Sequence, residues 1–266
     1  MNIKHYKGIL ITLVSLFLVL TPADARDKSA KQGNNAVAQY NLGVIYDKGE
    51  GVEQDYKQAV YWYTKSAKQG NAKAQNNLGL AYEKGLGVKK NINTAIKWYT
   101  KAAQQGYAKA QNNLGLAYEK GLGVKKNINT AIKWYTKAAQ QGNASAQYNL
   151  GIAYYLGKGV KQDYKQAVYW WGKSAEQGNA SAQYNLGVLY AKGQGVKQNY
   201  KQAIYWLTKS AQQGYAYAQC ALGSAYYHGQ GVEQDYKQAI YWYTKSAKQG
   251  NAGAQSVLGI IARDSL

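Results

Sequence analysis

From Ala36 onward the apolar residues Ala38, Leu42 and Ile45 are followed by Gly49 at spacings of 4, 3 and 4. That rhythm is one face of a helix. Gly49 stops the helix and Gly51 sits in a turn. Asp55 then supplies an N-cap for a second run, in which Tyr56, Ala59, Val60, Tyr63 and Ala67 keep the 3 and 4 spacing. Gly70 ends that run and Asn71 caps the next one. The pattern predicts a helix, a short glycine turn and a helix.

The same pattern returns along the chain. Framed on A-x-A-Q, copies begin at Ala36, Ala72, Ala108, Ala144, Ala180 and Ala216 with no insertion or deletion, and a partial copy runs from Ala252 to Leu266. SAKQGN at Ser29 to Asn34 repeats Ser66 to Asn71, as the tail of an earlier truncated copy. The block from Ala72 to Gly106 recurs from Ala108 to Gly142 without one difference. A fixed period of this size signals a stacked array of helical units. Two identical units cannot both be shaped around a unique catalytic site, so the duplication also argues against an enzyme.

The full motif, A-x-A-Q-x-N-L-G-x-x-Y-x-x-G-x-G-V followed by D-Y-x-x-A-x-x-W-Y-x-x-A-A-x-Q-G, resembles the Sel1-like repeat, a relative of the tetratricopeptide repeat, from about Ser29 to the end. The resemblance implies an all-α fold: a right-handed α-solenoid of helix-turn-helix repeats whose first helices line the concave side. It also implies a non-catalytic adaptor for protein complexes, in exported bacterial members tied to the envelope or to host contact. A protein or peptide partner and a monomeric chain are therefore expected.

Residues 1–25 read as a signal peptide. Lys4 and Lys7 precede an apolar run from Gly8 to Leu20, and Ala23-Asp24-Ala25 fits a small-x-small cleavage site, so the mature chain is expected to begin near Arg26 and to be periplasmic or secreted. The rival reading, an uncleaved anchor, suffers because the apolar run is well short of the roughly 20 residues that span a bilayer. Removing Lys4, Lys7 and Asp24 changes the formal charge from +20 to +19, that is, 31 basic minus 12 acidic residues. Such a charge usually suggests nucleic acid, but an exported protein rarely meets it, so none is expected. The alternative function is a basic surface that binds anionic lipid or glycan of the envelope or host.

Comparing the copies separates what the fold needs from what is free to differ. Ala38, Ala74, Ala110, Ala146, Ala182 and Ala218 are one invariant position, as are the leucine four residues on and the glycine after it. The variable positions, at Val37, Tyr40, Val44 and Asp47 and their equivalents, fall at spacings of 3, 4 and 3, one stripe expected to turn away from the alanine and leucine face. Its candidate binding residues are Tyr40, Asp47, Asn76, Glu83, Asn112 and Glu119 in the first half, and Tyr148, Tyr155, Tyr184, Tyr217 and Tyr227 in the second. Because the duplicated copies are identical even here, they are expected to offer the same surface twice. Selective binding should then depend on the tyrosine-bearing copies from Ala144 onward.

Two further rows are periodic. Trp62, Trp98, Trp134, Trp170, Trp206 and Trp242 are expected to be core, and Trp171 replaces a tyrosine beside one of them. Lys65, Lys101, Lys137, Lys173, Lys209 and Lys245 form a basic ladder that suits the negative end of each second helix and also offers a site for anionic surfaces. Catalytic and metal-binding sets are sparse, and no cofactor is expected. His228 is the only histidine of the mature chain, and Cys220, the lone thiol, is expected to be free and partly shielded. The G-x-G turns lack a preceding strand and read as helix terminators rather than phosphate loops. Some exported relatives are described as penicillin-binding or β-lactamases, but no S-x-x-K is present to supply a serine nucleophile, which leaves that reading a weak alternative. The partial copy at Ala252 is expected to cap the array.

Overall fold

A computed structural model describes residues 35–264. The proposed signal peptide and the truncated copy at Ser29 to Asn34 lie outside the described residues. Thirteen helices and no strands are present among the described residues: α1 (Ala36–Lys48), α2 (Tyr56–Lys68), α3 (Ala72–Lys84), α4 (Ile92–Gln104), α5 (Ala108–Lys120), α6 (Ile128–Gln140), α7 (Ala144–Leu156), α8 (Tyr164–Glu176), α9 (Ala180–Lys192), α10 (Tyr200–Gln212), α11 (Ala216–His228), α12 (Tyr236–Lys248) and α13 (Ala252–Asp264). The described residues form two compact units, one up to Gln105 and one from Gly106 onward. Within each, every helix packs on the next, α1 through α4 in the first and α5 through α13 in the second. The architecture is an all-α repeat solenoid.

The helix boundaries follow from the predicted caps. Asp55, Asp163 and Asp235 accept backbone N–H bonds at the start of their helices, as do Asn71, Asn143 and Asn179. Each complete first helix ends on a left-handed glycine such as Gly49 (φ 72°) or Gly121 (φ 74°). At Gly87, Gly159, Gly195 and Gly231 the second glycine of the turn has a reason the sequence does not reveal. A Cβ at Gly195 would lie 2.8 Å from the backbone nitrogen of Lys165, so this glycine lets the turn lie against the preceding copy.

The core is organised around a second close approach. In every complete copy one side chain of the second helix lies across the invariant glycine of the first: Tyr63 on Gly43, Tyr99 on Gly79, Tyr135 on Gly115, Trp171 on Gly151, Leu207 on Gly187 and Tyr243 on Gly223. A Cβ at Gly79 or Gly115 would stand 2.6 or 2.7 Å from the facing ring. These seated side chains, all buried, form the deep core. The tryptophan row just before them is shallower than predicted. Trp62 is buried, but Trp98, Trp134, Trp170, Trp206 and Trp242 are half-buried. The reason is rotational: one residue earlier on a helix points about 100° away, so when the seated residue faces its own copy's glycine the indole turns to the preceding copy. Thus Trp98 packs on the Tyr63 cluster, Trp170 on the Tyr135 cluster and Trp206 on the Trp171 cluster.

A buried glutamine, the last residue of A-x-A-Q, ties copies together. Gln147 donates from Nε2 to the carbonyl of Ala139 in the preceding copy (3.1 Å) and accepts at Oε1 from Gln177 of its own copy (2.7 Å). Gln183 and Gln219 repeat both bonds. A buried amide must be satisfied, and this one is satisfied only when neighbouring copies are in register.

Seating a tyrosine also places a buried phenol, whose hydroxyl needs an acceptor. In the first three copies it finds one a helical turn beyond the glycine: Tyr63 donates to Asp47 (3.1 Å), Tyr99 to Glu83 (2.5 Å) and Tyr135 to Glu119 (2.6 Å). Burial, then the facing carboxylate, raises the Tyr99 and Tyr135 hydroxyls far above the ordinary value of 10.0. Burial also works against ionisation of Glu119, but its bonds from Lys158 (2.7 Å) and Tyr135 more than offset this, and its carboxyl lies below the usual 4.5.

Gly115→Ala is expected to force the Tyr135 ring off its seat and cost about 1–3 kcal/mol in urea unfolding. Gly259→Ala, at the same repeat position of α13 where nothing lies within 4 Å, should be neutral or stabilise by about 0.5–1 kcal/mol. Glu119→Gln should cost about 1 kcal/mol at pH 7, kept low by the half-exposure of Lys158. Since the folded carboxyl lies below its unfolded value, that stability is present above the unfolded value and lost as pH falls through the folded one. Urea titrations between pH 7 and 3 should therefore show the wild-type advantage vanish on the acid side.

Candidate binding surface

The stripe predicted to carry binding does not face solvent along its whole length. Position 47 lies one turn from the glycine seat on the same helix face, so the carboxylates there turn toward the facing ring. Asp47, Glu83 and Glu119 are occupied by the tyrosine bonds described above, which gives the acidic half an internal role in each copy. Tyr40 is half-buried, its ring 6.0 Å from that of Tyr63. Asn76 is only 2% exposed and donates to Asn77.

Asn112, identical to Asn76 in its sequence surroundings, is half-buried and accepts from Asn149 (3.1 Å). The duplicated copies therefore do not offer the same surface twice. Neighbouring copies differ, and Lys158, which pairs with Glu119, has Leu122 as its counterpart one copy earlier.

From the fourth copy onward the stripe behaves differently. In copies four and five the seated residue changes along with the acid: Tyr155 accompanies Trp171 and Ala191 accompanies Leu207, so no phenol is left to satisfy. In the sixth copy Tyr243 stays seated, with Tyr227 in place of the acid and its hydroxyl paired with Ser224. Trp171 directs its indole N–H to the carbonyl of Tyr148 (3.1 Å). Tyr155 is freed to lie beside Trp171, with ring centroids 5.3 Å apart. Between α7 and α9 an opening of about 330 Å³ results, lined by Tyr148, Ile152, Tyr155, Trp171, Tyr184 and Lys192 among others. Three of the predicted residues, Tyr148, Tyr155 and Tyr184, are thus brought together.

The aromatic surface continues toward α11. Tyr184 lies 5.4 Å from Tyr215 and 6.2 Å from Tyr217, and those two lie 5.8 Å from each other. Tyr217 is 60% exposed. Burial, followed by the field of Tyr215, raises the hydroxyls of Tyr148 and Tyr184 above their ordinary values, so both are neutral donors at physiological pH. Tyr227 is engaged elsewhere, edge-on to Tyr236 (5.2 Å) and to His228.

Tyr215 was not among the predicted residues, yet it stands at the centre of the cluster. A signal for it exists in the sequence. It occupies the N-cap position where Asn71, Asn143, Asn179 and Asn251 stand in other copies, and it makes no side-chain cap bond. A tyrosine there forgoes about 1 kcal/mol of capping. Burial raises the Cys220 thiol, consistent with a half-buried free cysteine rather than a thiolate nucleophile. Among the described residues no group of three or more His, Cys, Asp or Glu side chains is placed to hold a metal ion.

The basic ladder is exposed throughout, and each lysine lies over an aromatic ring of its own helix. Lys65 and Lys245 stand 4.6 Å from the Tyr61 and Tyr241 rings, Lys101 and Lys137 4.8 and 4.9 Å from Trp98 and Trp134, and Lys209 and Lys173 4.6 and 5.9 Å from Tyr205 and Tyr169.

Comparison with known proteins matches this arrangement to one family. Six consecutive segments, 36–71, 72–107, 108–143, 144–179, 180–215 and 216–251, match the Sel1 repeat. No curated protein matches. Among solved structures, a protective antigen of uropathogenic Escherichia coli with an SLR fold is 40% identical, with a TM-score of 0.84 over 92% of this chain and 52% of its own. The chain thus spans about half the length of that antigen. A Sel1 repeat protein from Oxalobacter formigenes is 41% identical, with a TM-score of 0.73 over 85% of this chain and 88% of its own. An immunity protein from Pseudomonas aeruginosa, 24% identical over 82% of this chain and 83% of its own, shares the fold with a TM-score of 0.51. With its repeats matched and its helix pairs superposed on those of solved relatives, the chain belongs to the Sel1 repeat family.

Proposed function

We propose that this protein is a non-catalytic adaptor of the bacterial envelope or of host contact, which binds a peptide segment of another protein along the first helices of its fourth to sixth copies. Sel1 repeat proteins are in general protein-protein interaction modules. The observation that carries the finer reading is the tyrosine cluster of the second unit. Tyr148, Tyr155 and Tyr184 line one opening, and Tyr215 and Tyr217 extend its rim. Tyrosine gives large contact area with little rotamer entropy to lose, and its hydroxyl serves either as donor or as acceptor to a peptide backbone. The opening suits one apolar or aromatic anchor side chain, with Lys192 at its edge for an acidic neighbour. In the first three copies the equivalent acids are tied to seated tyrosines, which supports placing the binding segment in the later ones.

The export signal read at residues 1–25 supports a periplasmic or secreted location, and fractionation of cells expressing the full chain should recover it outside the cytoplasm with residues 1–25 removed. Recovery of the uncleaved chain in the cytoplasm would overturn the location.

Peptides selected from a random displayed library on the purified chain should carry an apolar or aromatic anchor beside an acidic residue. Their affinity should fall at least about tenfold when Tyr148 and Tyr184 are changed together to alanine, since two aromatic anchors contribute on the order of 1 kcal/mol or more each. Asn76→Ala, a change at the equivalent stripe position of the second copy, should leave affinity unchanged. Equal losses from both variants would sink the assignment of this surface.

A further inference from the structure

Exposed lysines and tyrosines recur together on several of the second helices. On α8 the residues Lys165, Tyr169 and Lys173 fall at spacings of four, which makes one exposed stripe along the helix, and α10 and α12 repeat it with Lys201, Tyr205, Lys209 and with Lys237, Tyr241, Lys245. All nine side chains are exposed, and the tyrosines are 47–51% exposed. No ion pair among the described residues engages any of the six lysines. The acids nearby are few: Asp163 and Asp235 cap the starts of their helices, Glu233 stands in the turn before α12, and Glu176 lies in the last turn of α8.

Helix-dipole compensation explains half of this arrangement. Lys173, Lys209 and Lys245 stand in the last turn, where positive charge is favourable. Lys165, Lys201 and Lys237 stand in the first turn, where it is not. These three helices, like α2 of the first unit with Lys57, Tyr61 and Lys65, accept an unfavourable lysine at the same place, one turn from an exposed tyrosine, and such a stripe is suited to something anionic.

The rings say which anion. Each tyrosine stands edge-on to the tryptophan beside it, 4.9–5.0 Å between centroids, and has a lysine ammonium over its ring at 4.6–5.9 Å. A sugar stacks on an open ring face, and here one face of each ring is covered by the ammonium. Each half-exposed ring is flanked along its helix by ammonium groups on long stems. Tyrosine and lysine in that combination are the side chains that settle at the head-group level of a bilayer, with the ring at the interface and the ammonium groups at the phosphates. No helix among the described residues is long and apolar enough to cross a membrane, so the contact is with the surface.

We propose that the second-helix face of the second unit, on α8, α10 and α12, is a docking surface for an anionic phospholipid bilayer, separate from the peptide site on the first helices.

The full chain, produced without residues 1–25, would be sedimented with vesicles of phosphatidylglycerol and phosphatidylcholine, with vesicles of phosphatidylcholine alone, and tested on immobilised heparin as an acidic glycan. Expected is binding to the anionic vesicles only, weakened at least about tenfold between roughly 50 and 500 mM salt. The triple variant Lys165→Gln/Lys201→Gln/Lys237→Gln should weaken it by about a hundredfold. Tyr169→Ala/Tyr205→Ala/Tyr241→Ala, which leaves the charge unchanged, should weaken it several-fold. Circular dichroism and the displayed-peptide affinity would be expected to match the wild type for both variants. Absence of vesicle binding, equal binding to neutral vesicles, retention on heparin alone, or indifference to either variant would each overturn the proposal. Loss of peptide binding through Tyr148 and Tyr184 leaves it untouched, so the two readings fail separately.

Discussion

The structure depends on one close approach repeated six times, a large side chain of each second helix laid across a glycine of the first. A residue with a Cβ at Gly43 or its equivalents would hold the two helices apart by the width of a methyl group, and the buried ring would lose its contacts. Close packing leaves no slack in which to absorb such a shift. The same approach turns the tryptophan one residue earlier toward the preceding copy, so a contact within a copy determines a contact between copies. It also creates a polar demand, because a tyrosine on the glycine brings a hydroxyl into the core. Position 47 meets that demand with a carboxylate in three copies. Where the seated residue is tryptophan or leucine the demand disappears, and position 47 is released to other uses.

That coupling explains which parts of the molecule were legible in the sequence. Helices, caps and glycine turns were readable because they depend on residues a few positions apart, and the period confirmed each of them many times over. The seat was half-readable: the invariant glycine is visible, but the residue it receives is about 20 positions away and takes three identities, Tyr, Trp and Leu. Asp47, Glu83 and Glu119 were accordingly assigned to a ligand surface, when each in fact completes a pair with a tyrosine sixteen residues on. The second glycine of the turn was read as a helix terminator for the same reason, since the backbone it lies against belongs to another copy. The tyrosines of copies four and five, by contrast, needed no distant partner to be singled out as free, and they do line one opening.

Identical sequence did not yield identical surface. A repeat's exposed positions are half its own and half its neighbour's, so Glu119 acquires an ion pair from Lys158 of the following copy, while the corresponding position one copy earlier is a leucine. This limits how far a duplicated block can be read as a duplicated site. It also shows how little change a solenoid needs to acquire a new surface: one substitution in the next turn alters the electrostatics of a carboxylate that is itself unchanged.

A helical repeat has three kinds of position, and here they are separated by rotation about the helix axis. Alanine, leucine, glycine and the clamp glutamine face the neighbouring helices and cannot vary. On the first helix, the acid position beside the glycine seat is kept or exchanged together with the seated tyrosine in copies one to five, and only in the sixth does a seated tyrosine, Tyr243, stand without the acid. On the second helix, the lysines and tyrosines of the outer stripe are exposed and belong to none of the buried clusters, so the core does not require them to alternate there. Regularity imposed by the core is expected at seam positions. At positions the core does not read, regularity has to come from something outside the repeat, and the lysine-tyrosine-lysine stripe is the place on this chain where that argument has the most force.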